Sequence, residues 1–275
     1  MKIDENKIKD LYLDLMKKAL TFMLWPEPGL PMEIYNKRPV LAFISRILAK
    51  TVHVRLTTLP PQEQRRIEGR VWPALAHTMI GLKRLDNIQF CVESILKDNI
   101  PGDFIETGAW RGGACIFMKA VLTTHGIKDR RIFVADSFGG LPPPNEELYE
   151  ADRGDKHHSF HHLVVSKEEV EENFRKYGLL DDRVIFLAGW FKDTLPNAPI
   201  EKLSLLRLDG DMYESTIEAL QSLYHKLSVG GYCIIDDYNL KGCRQAVHDF
   251  LEQNHIRCEI KKIDRIGVYW RKEKG

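Results

Sequence analysis

Three aspartates carry the clearest chemical signal in the sequence: Asp209 ends the short apolar run 205–209, Asp236 ends the run 232–236, and Asp237 follows it directly. Runs of this kind read as buried parallel strands, and open α/β sheets bind ligands beyond the carboxyl ends of their strands. Neighbouring strands that both stop in carboxylates place those groups on one rim. Gathered without a cation, the acids would repel and at least one pKa would rise, so the economical reading is a hard divalent ion with oxygen ligands. Magnesium suits such a site, because it keeps coordination positions for water or substrate and eases the loss of a hydroxyl proton. A lone aspartate at a strand end is usually a solvated loop acid or a helix cap. An Asp on one strand end beside an Asp-Asp pair on another favours the metal. Asp211, in Asp209-Gly210-Asp211, is a candidate for contact with metal, substrate or water, and spacing does not choose among these.

A second feature is the junction Phe104-Ile105-Glu106-Thr107-Gly108-Ala109-Trp110-Arg111-Gly112-Gly113, where an acid ends a strand and a glycine turn leads into a helix. Glycines let a ligand approach the backbone, and the helix opens with free amide donors. The pattern is looser than GxGxxG, so a plain tight turn competes equally with a binding turn. Asp136 ends the second run, near the offset of roughly 20 residues at which an acid meets ribose hydroxyls in Rossmann-like folds, although a helix cap or loop acid explains it as well. Gly189-Trp190-Phe191 follows the third run and could meet an adenine ring; Phe191 reads as packing and Trp190 is left open. His157-His158 and His161-His162 invite a ferrous oxygenase triad. They fall, however, in a segment of about 141–165 rich in Pro, Asp and Glu without a strand pattern, which favours a lid over the substrate.

The elements that must hold these residues are readable from periodicity. Ile8, Leu11, Tyr12, Leu15, Ala19 and Phe22 recur at helical steps over residues 4–24, and Pro26, Pro28 and Pro31 end that helix. Leu82, Leu85, Ile88, Val92, Ile95 and Leu96 repeat the pattern, so residues 1–100 read as a mostly helical extension. From 101 to 275 short apolar runs at 104–107, 132–136, 184–188, 205–209 and 232–236 alternate with helical segments, as in a parallel sheet covered on both faces. Ser166 and Glu169 make a capping box, with Val170, Phe174 and Tyr177 as the stripe and Gly178 as the stop. A further helix covers about 243–255. The chain closes with 258–263, a turn at 264–267 and 268–271, a β-hairpin. An antiparallel final strand differs from the six parallel strands of nicotinamide folds and points to the Rossmann-like α/β sheet of class I methyltransferases. There the glycine junction would take the methionine part of S-adenosylmethionine, with Glu106 or a neighbour accepting from its amino group.

Composition narrows the partners. Forty Lys and Arg balance 39 Asp and Glu, so no field exists to hold a phosphate backbone, and nucleic acid is excluded as a partner. The five cysteines form no CxxC pair, which fits reduced thiols in a cytoplasm, and no apolar run is long enough to span a bilayer.

At the residues above the chain resembles the macrocin O-methyltransferase (TylF) family of antibiotic deoxysugar methyltransferases. The resemblance runs over nearly the whole chain, through Leu11-Tyr12-Leu13-Asp14-Leu15, the stretch 74–81, the junction 104–113, Ala135-Asp136-Ser137-Phe138, the segment 189–196, the segment 206–216, Gly230-Gly231-Tyr232 and Asp236-Asp237-Tyr238. It implies S-adenosylmethionine and magnesium as cofactors, a small-molecule acceptor such as a glycosylated natural product or sugar, and frequently a homodimer. By motif it implies Asp209, Asp236 and Asp237 as metal ligands, with Asp209 also the base. Glu106, Thr107 and Gly108 would then face the methionine end, Asp136 and Ser137 the ribose, and Gly189 and Trp190 the adenosine side. Departures fall in 25–70 and in the histidine-rich lid, the regions expected to shape the acceptor pocket. The rivals are a nicotinamide oxidoreductase, which gives no reason for Asp236-Asp237, a non-catalytic S-adenosylmethionine-binding protein, and the ferrous oxygenase.

Overall fold

A computed structural model describes residues 4–33 and 38–273, so residues 1–3 and 34–37 of the expected extension and 274–275 of the expected catalytic region lie outside it. The chain divides into two compact units, Met1–Leu82 and Lys83–Gly275.

The first unit holds helices α1 (Glu5–Leu20), α2 (Pro39–Thr51) and α3 (Glu63–Ile67). Asp4 caps α1, its carboxylate accepting from the amides of Asn6 and Lys7. The predicted stripe on this helix is not the packed face. Leu13, Met16 and Leu20 are buried, whereas Ile8, Leu11 and Leu15 stay about half exposed. Both sets have helical spacing, so periodicity alone marks two faces without ranking them. On α2, Val40, Phe43, Ile44 and Ile47 are likewise exposed. Glu27, buried in this unit, holds the turn at Ala74 and Leu75 by accepting from their amides at 2.5 and 3.1 Å.

The second unit opens with α4 (Leu82–Lys97), which buries Leu85, Ile88, Val92 and Ile95 as its spacing predicts. The sheet follows: β1 (Asp103–Thr107), β2 (Ile132–Asp136), β3 (Val184–Ala188), β4 (Leu203–Leu208), β5 (Leu227–Ile235), β6 (Lys261–Lys262) and β7 (Val268–Arg271). Between them run α5 (Gly113–Thr124), α6 (Lys167–Lys176), the short α7 (Phe191–Thr194), α8 (Tyr213–Leu223) and α9 (Lys241–Gln253). The strand order is β3-β2-β1-β4-β5-β7-β6. The first five strands pair in parallel, and β7 pairs antiparallel with both β5 and β6. This is the class I methyltransferase order, with the expected terminal hairpin, and it removes the nicotinamide fold as a rival. Buried Ile105, Phe133, Leu206, Cys233 and Ile235 face Ile217, Leu220, Val247 and Phe250 of α8 and α9 in one core.

One strand is longer than its apolar run. β5 begins at Leu227, and two steps along β4, from Leu203 to Leu205, are matched by five along β5, from Leu227 to Tyr232. Gly230, at φ +86°, turns this bulge, and the glycine pair hides the strand start from a reading based on hydropathy. Among the described residues no helix is long and apolar enough to cross a membrane.

Candidate active site

β4 and β5 pair in parallel with Leu208 opposite Ile235, so the residues that follow each strand leave the sheet on the same rim. Asp236 continues the ladder by donating its amide to Leu208 O at 2.8 Å, and Asp209 donates to Thr107 O at 2.9 Å. One carboxylate oxygen each from Asp209, Asp236 and Asp237 lies within 4.8 Å of the others, the single grouping of His, Cys, Asp or Glu placed to hold a metal among the described residues. Asp211 joins its edge: its backbone is left-handed at φ 58°, and its amide donates to Asp237 Oδ2 at 3.2 Å. Gly108 makes this convergence possible. At φ +84°, its missing Cβ would lie 1.7 Å from Asp209 O, so no side chain fits where β1 meets the end of β4.

Two arginines that hydropathy reading passes over complete the site. Arg207 lies inside β4 with 1% exposure and stands opposite Glu106 of β1 in the sheet register. Its Nη1 donates to Glu106 and to Asp209 Oδ2, the latter at 2.9 Å, and its Nη2 donates to Asp236 Oδ1. Arg84 of α4 donates to the other oxygen, Asp236 Oδ2. The signal was present as one arginine among the leucines of β4, a buried position where charge survives only when paired. Glu106 is buried and committed on both oxygens, since Cys115 Sγ donates to its Oε2 at 2.8 Å.

These charges do not balance. Burial pushes Glu106 up to about 7 against the pull of Arg207, and burial with the Asp209 charge pushes Asp211 to about 7. Burial and then Asp236 raise Asp209. Asp237 is held well above the carboxylate range by burial, then by Asp211, Asp209 and Asp236. The cluster is short of positive charge, and its donors are all hard oxygens. It therefore fits a magnesium-like cation, whereas among the described residues the histidines do not gather into a site of their own.

A pH dependence follows. The folded-state pKa values of Glu106 and Asp211 lie near 7, above the ordinary 4.5 and 3.8. Groups raised in this sense stabilise the fold below their ordinary pKa, and that contribution is lost as pH rises through about 7. In chelator, Tm should fall between pH 5 and pH 7.5, and a divalent cation should restore it at the higher pH; calorimetry showing a flat Tm across that range would contradict these shifts.

The other predicted residues lie along the neighbouring strand ends. Thr107 Oγ1 is buried without a hydrogen-bond partner, a polar atom that a ligand group would satisfy. Asp136 accepts from Ala109 and Trp110 amides at 2.8 and 3.1 Å through Oδ2, and from Phe138 at 2.8 Å through Oδ1. It thus ties the glycine junction to β2, and burial still raises its pKa. Ser137 Oγ donates to Gly140 O at 2.6 Å and accepts from Gly139. Gly189 follows β3 at φ +138°, and Trp190 stands before α7 with 38% exposure. Phe191 packs against the core, as expected.

The segment 141–165 contains three short 3₁₀ turns, Glu150–Asp152, His157–Ser159 and His161–Leu163. Its anchor was not visible in the sequence: Asp152 is buried and caps α8 from a distance, accepting from Tyr213 and Glu214 amides at 2.7 and 2.9 Å. His157 Nδ1 pairs with Asp155 Oδ2 at 2.7 Å, and the Trp110 indole donates to His162 O at 3.0 Å. Asp152→Ala should cost about 1 to 2 kcal/mol, the range of lost helix caps. Limited proteolysis should then cut faster within 141–165; an unchanged cleavage rate would show that the anchor lies elsewhere.

Comparison with known proteins adds the following. The family model for macrocin O-methyltransferase (TylF) matches residues 9–272. The chain is 48% identical over 264 residues, 96% of its length and 93% of the relative's, to the 8-demethyl-8-(2,3-dimethoxy-alpha-L-rhamnosyl)-tetracenomycin-C 4'-O-methyltransferase of Streptomyces olivaceus. It is 47% identical to the demethyldecarbamoylnovobiocin O-methyltransferase of Streptomyces niveus, over 98% of this chain and 96% of that one. The solved O-methyltransferase NovP is similar at 46% identity with a TM-score of 0.84, covering 97% of this chain and 100% of its own.

Proposed function

The chain belongs to the macrocin O-methyltransferase (TylF) family, and from that premise we propose that it transfers the methyl of S-adenosylmethionine, with magnesium, to a hydroxyl on the sugar of a natural product. The observation that carries the proposal is the convergence of Asp209, Asp236 and Asp237 beside a glycine junction. The tetracenomycin relative, whose name places its activity on a rhamnosyl 4' position, and the mycinamicin III 3''-O-methyltransferase of Micromonospora griseorubida, at 42% identity, support a sugar acceptor.

When bound, S-adenosylmethionine supplies the electrophilic methyl and magnesium supplies Lewis-acid polarisation of the acceptor hydroxyl. Asp209, Asp236 and Asp237 would hold the cation. Asp209, with 27% of its side chain exposed, would take the hydroxyl proton, and Asp211 is the adjacent carboxylate through which it could leave. Gly108 lets the end of β4 close against β1, which brings Asp209 beside the glycine junction, and Thr107 offers its unpaired hydroxyl to the methionine end. Glu106 acts there through Arg207, which it holds, more directly than through a free carboxylate. Asp136 and Ser137 would serve the ribose, Gly189 and Trp190 the adenosine. Alignment contributes the larger share, about 7 to 11 kcal/mol, against about 10²- to 10⁴-fold for one general base.

Acceptor choice is assigned to the lid segment and to the N-terminal unit. A homodimer belongs to this reading, and the exposed apolar faces of α1 and α2 are surfaces available to it. The five cysteines are all free, which suits a reducing cytoplasm. The test is a panel of deoxysugar-bearing natural products with labelled cofactor and magnesium, read by mass. Methylation of phenolic acceptors alone would refute the sugar assignment.

A further inference from the structure

The two oxygens of Asp236 are both engaged by guanidinium groups, Oδ1 by Arg207 and Oδ2 by Arg84. Arg84 is itself held in place. It is 5% exposed on α4, and its Nε stands 3.3 Å from Asp264 Oδ2 in the turn between β6 and β7. Asp264 is fixed in turn by accepting from Ile266 and Gly267 amides at 2.7 and 2.8 Å. Gly267 lets this turn close: a Cβ there would lie 3.3 Å from Arg84 Cδ and 3.5 Å from Asp236 O. The terminal hairpin is thereby joined to the acid cluster through one side chain. Among the described residues no lysine or arginine forms an ion pair with Asp237 or Asp211, so the guanidinium groups enter the cluster on its Asp209 and Asp236 side, while His157 lies toward Asp211.

We propose that Arg84 is a positioning residue of the acid cluster: anchored by Asp264, its guanidinium orients Asp236 and supplies a fixed positive charge that weakens the hold on a divalent cation to a reversible strength. This rests on the cation reading given above. The physical basis is linkage. A buried cation partner stabilises the ion-free cluster more than the ion-bound one, because bound metal supplies the missing charge itself. Removing Arg84 therefore leaves the ion-free protein less stable and the cation more tightly held, while Asp236 loses its orientation. A simple loss of structure would loosen the cation instead.

The experiment titrates Mn²⁺ into the full-length protein, following the free-ion electron paramagnetic resonance signal, for wild type, Arg84→Met, Arg84→Gln, Arg84→Lys and Asp237→Asn. Arg84→Met and Arg84→Gln should bind Mn²⁺ at least about tenfold more tightly, equivalent to about 1.4 kcal/mol, with a larger Tm gain on saturation and a lower kcat. Arg84→Gln keeps a donor toward Asp236, which guards against a Met variant that does not fold. Arg84→Lys keeps the charge and should stay near the wild-type dissociation constant. Unchanged or weaker Mn²⁺ binding in both neutral variants, with wild type binding normally, overturns the proposal alone. Wild type without a saturable Mn²⁺ site that Asp237→Asn removes overturns the cation reading, and this proposal with it.

Discussion

Asp209→Asn should lower kcat by about 10³-fold or more while leaving the protein as stable as wild type or more so in chelator. The activity loss combines two effects. Asparagine cannot take a hydroxyl proton, which by itself costs about 10²- to 10⁴-fold, and it removes one anionic oxygen from the proposed cation site. Stability moves the other way because Asp209 is an unfavourable charge in the ion-free protein. Burial and then Asp236 raise its pKa, and Arg207 offsets this only in part. A neutral side chain of the same shape relieves that repulsion, the familiar opposition between stability and a functional charge cluster. Steady-state kinetics beside calorimetry checks both halves. A variant that keeps kcat, or one that loses activity by unfolding, would contradict this assignment of Asp209.

Arg207→Met should be the most damaging single change to the fold of the second unit. Arg207 is 1% exposed and donates to Glu106, Asp209 and Asp236, so methionine leaves three carboxylates without their shared cation. Breaking buried ion pairs from one side costs about 3 to 5 kcal/mol, and the penalty here falls on three partners. For a unit of this size each kcal/mol moves Tm by roughly 2 to 4 °C, so a fall of about 10 °C is expected at neutral pH. The loss should shrink at pH 5. Without Arg207 to oppose it, burial raises Glu106 further above about 7, and a carboxyl that is already neutral leaves no unpaired charge. Divalent cation should restore part of the loss at pH 7.5. A ΔΔG below about 1 kcal/mol, against the about 3 to 5 expected for buried pairs, would show that water already screens this arginine.

Much of this arrangement was legible in the residues, and the failures share one cause. Strands β2 and β3 begin and end where their apolar runs do, because each is a plain run between polar turns. The rim of aspartates was legible too, since parallel strands must release their ends on one side. Less visible was whatever depends on a partner far along the chain. The partner that lets Arg207 sit in a buried strand is Glu106, 101 positions earlier, and Arg84 meets Asp236 across 152. Asp152 becomes a cap only when the fold brings it to an α8 start 61 residues away. On α1 the difficulty was different: two apolar faces have helical spacing, and only packing tells which one is buried. Glu106, expected to meet the methionine end of the cofactor, also accepts from Arg207 and Cys115, because a strand-end acid does not show in sequence which buried partners it will hold.

The most direct measurement is a crystal of the protein grown with Mn²⁺ and S-adenosylhomocysteine, with anomalous data collected at the manganese edge. One peak should appear among the carboxylates of Asp209, Asp236 and Asp237, at oxygen distances of about 2.0 to 2.3 Å, close to those magnesium demands. An ordered cluster with no peak, together with methyl transfer that continues undiminished in excess chelator, would mean that the aspartates gather for some purpose other than holding a cation.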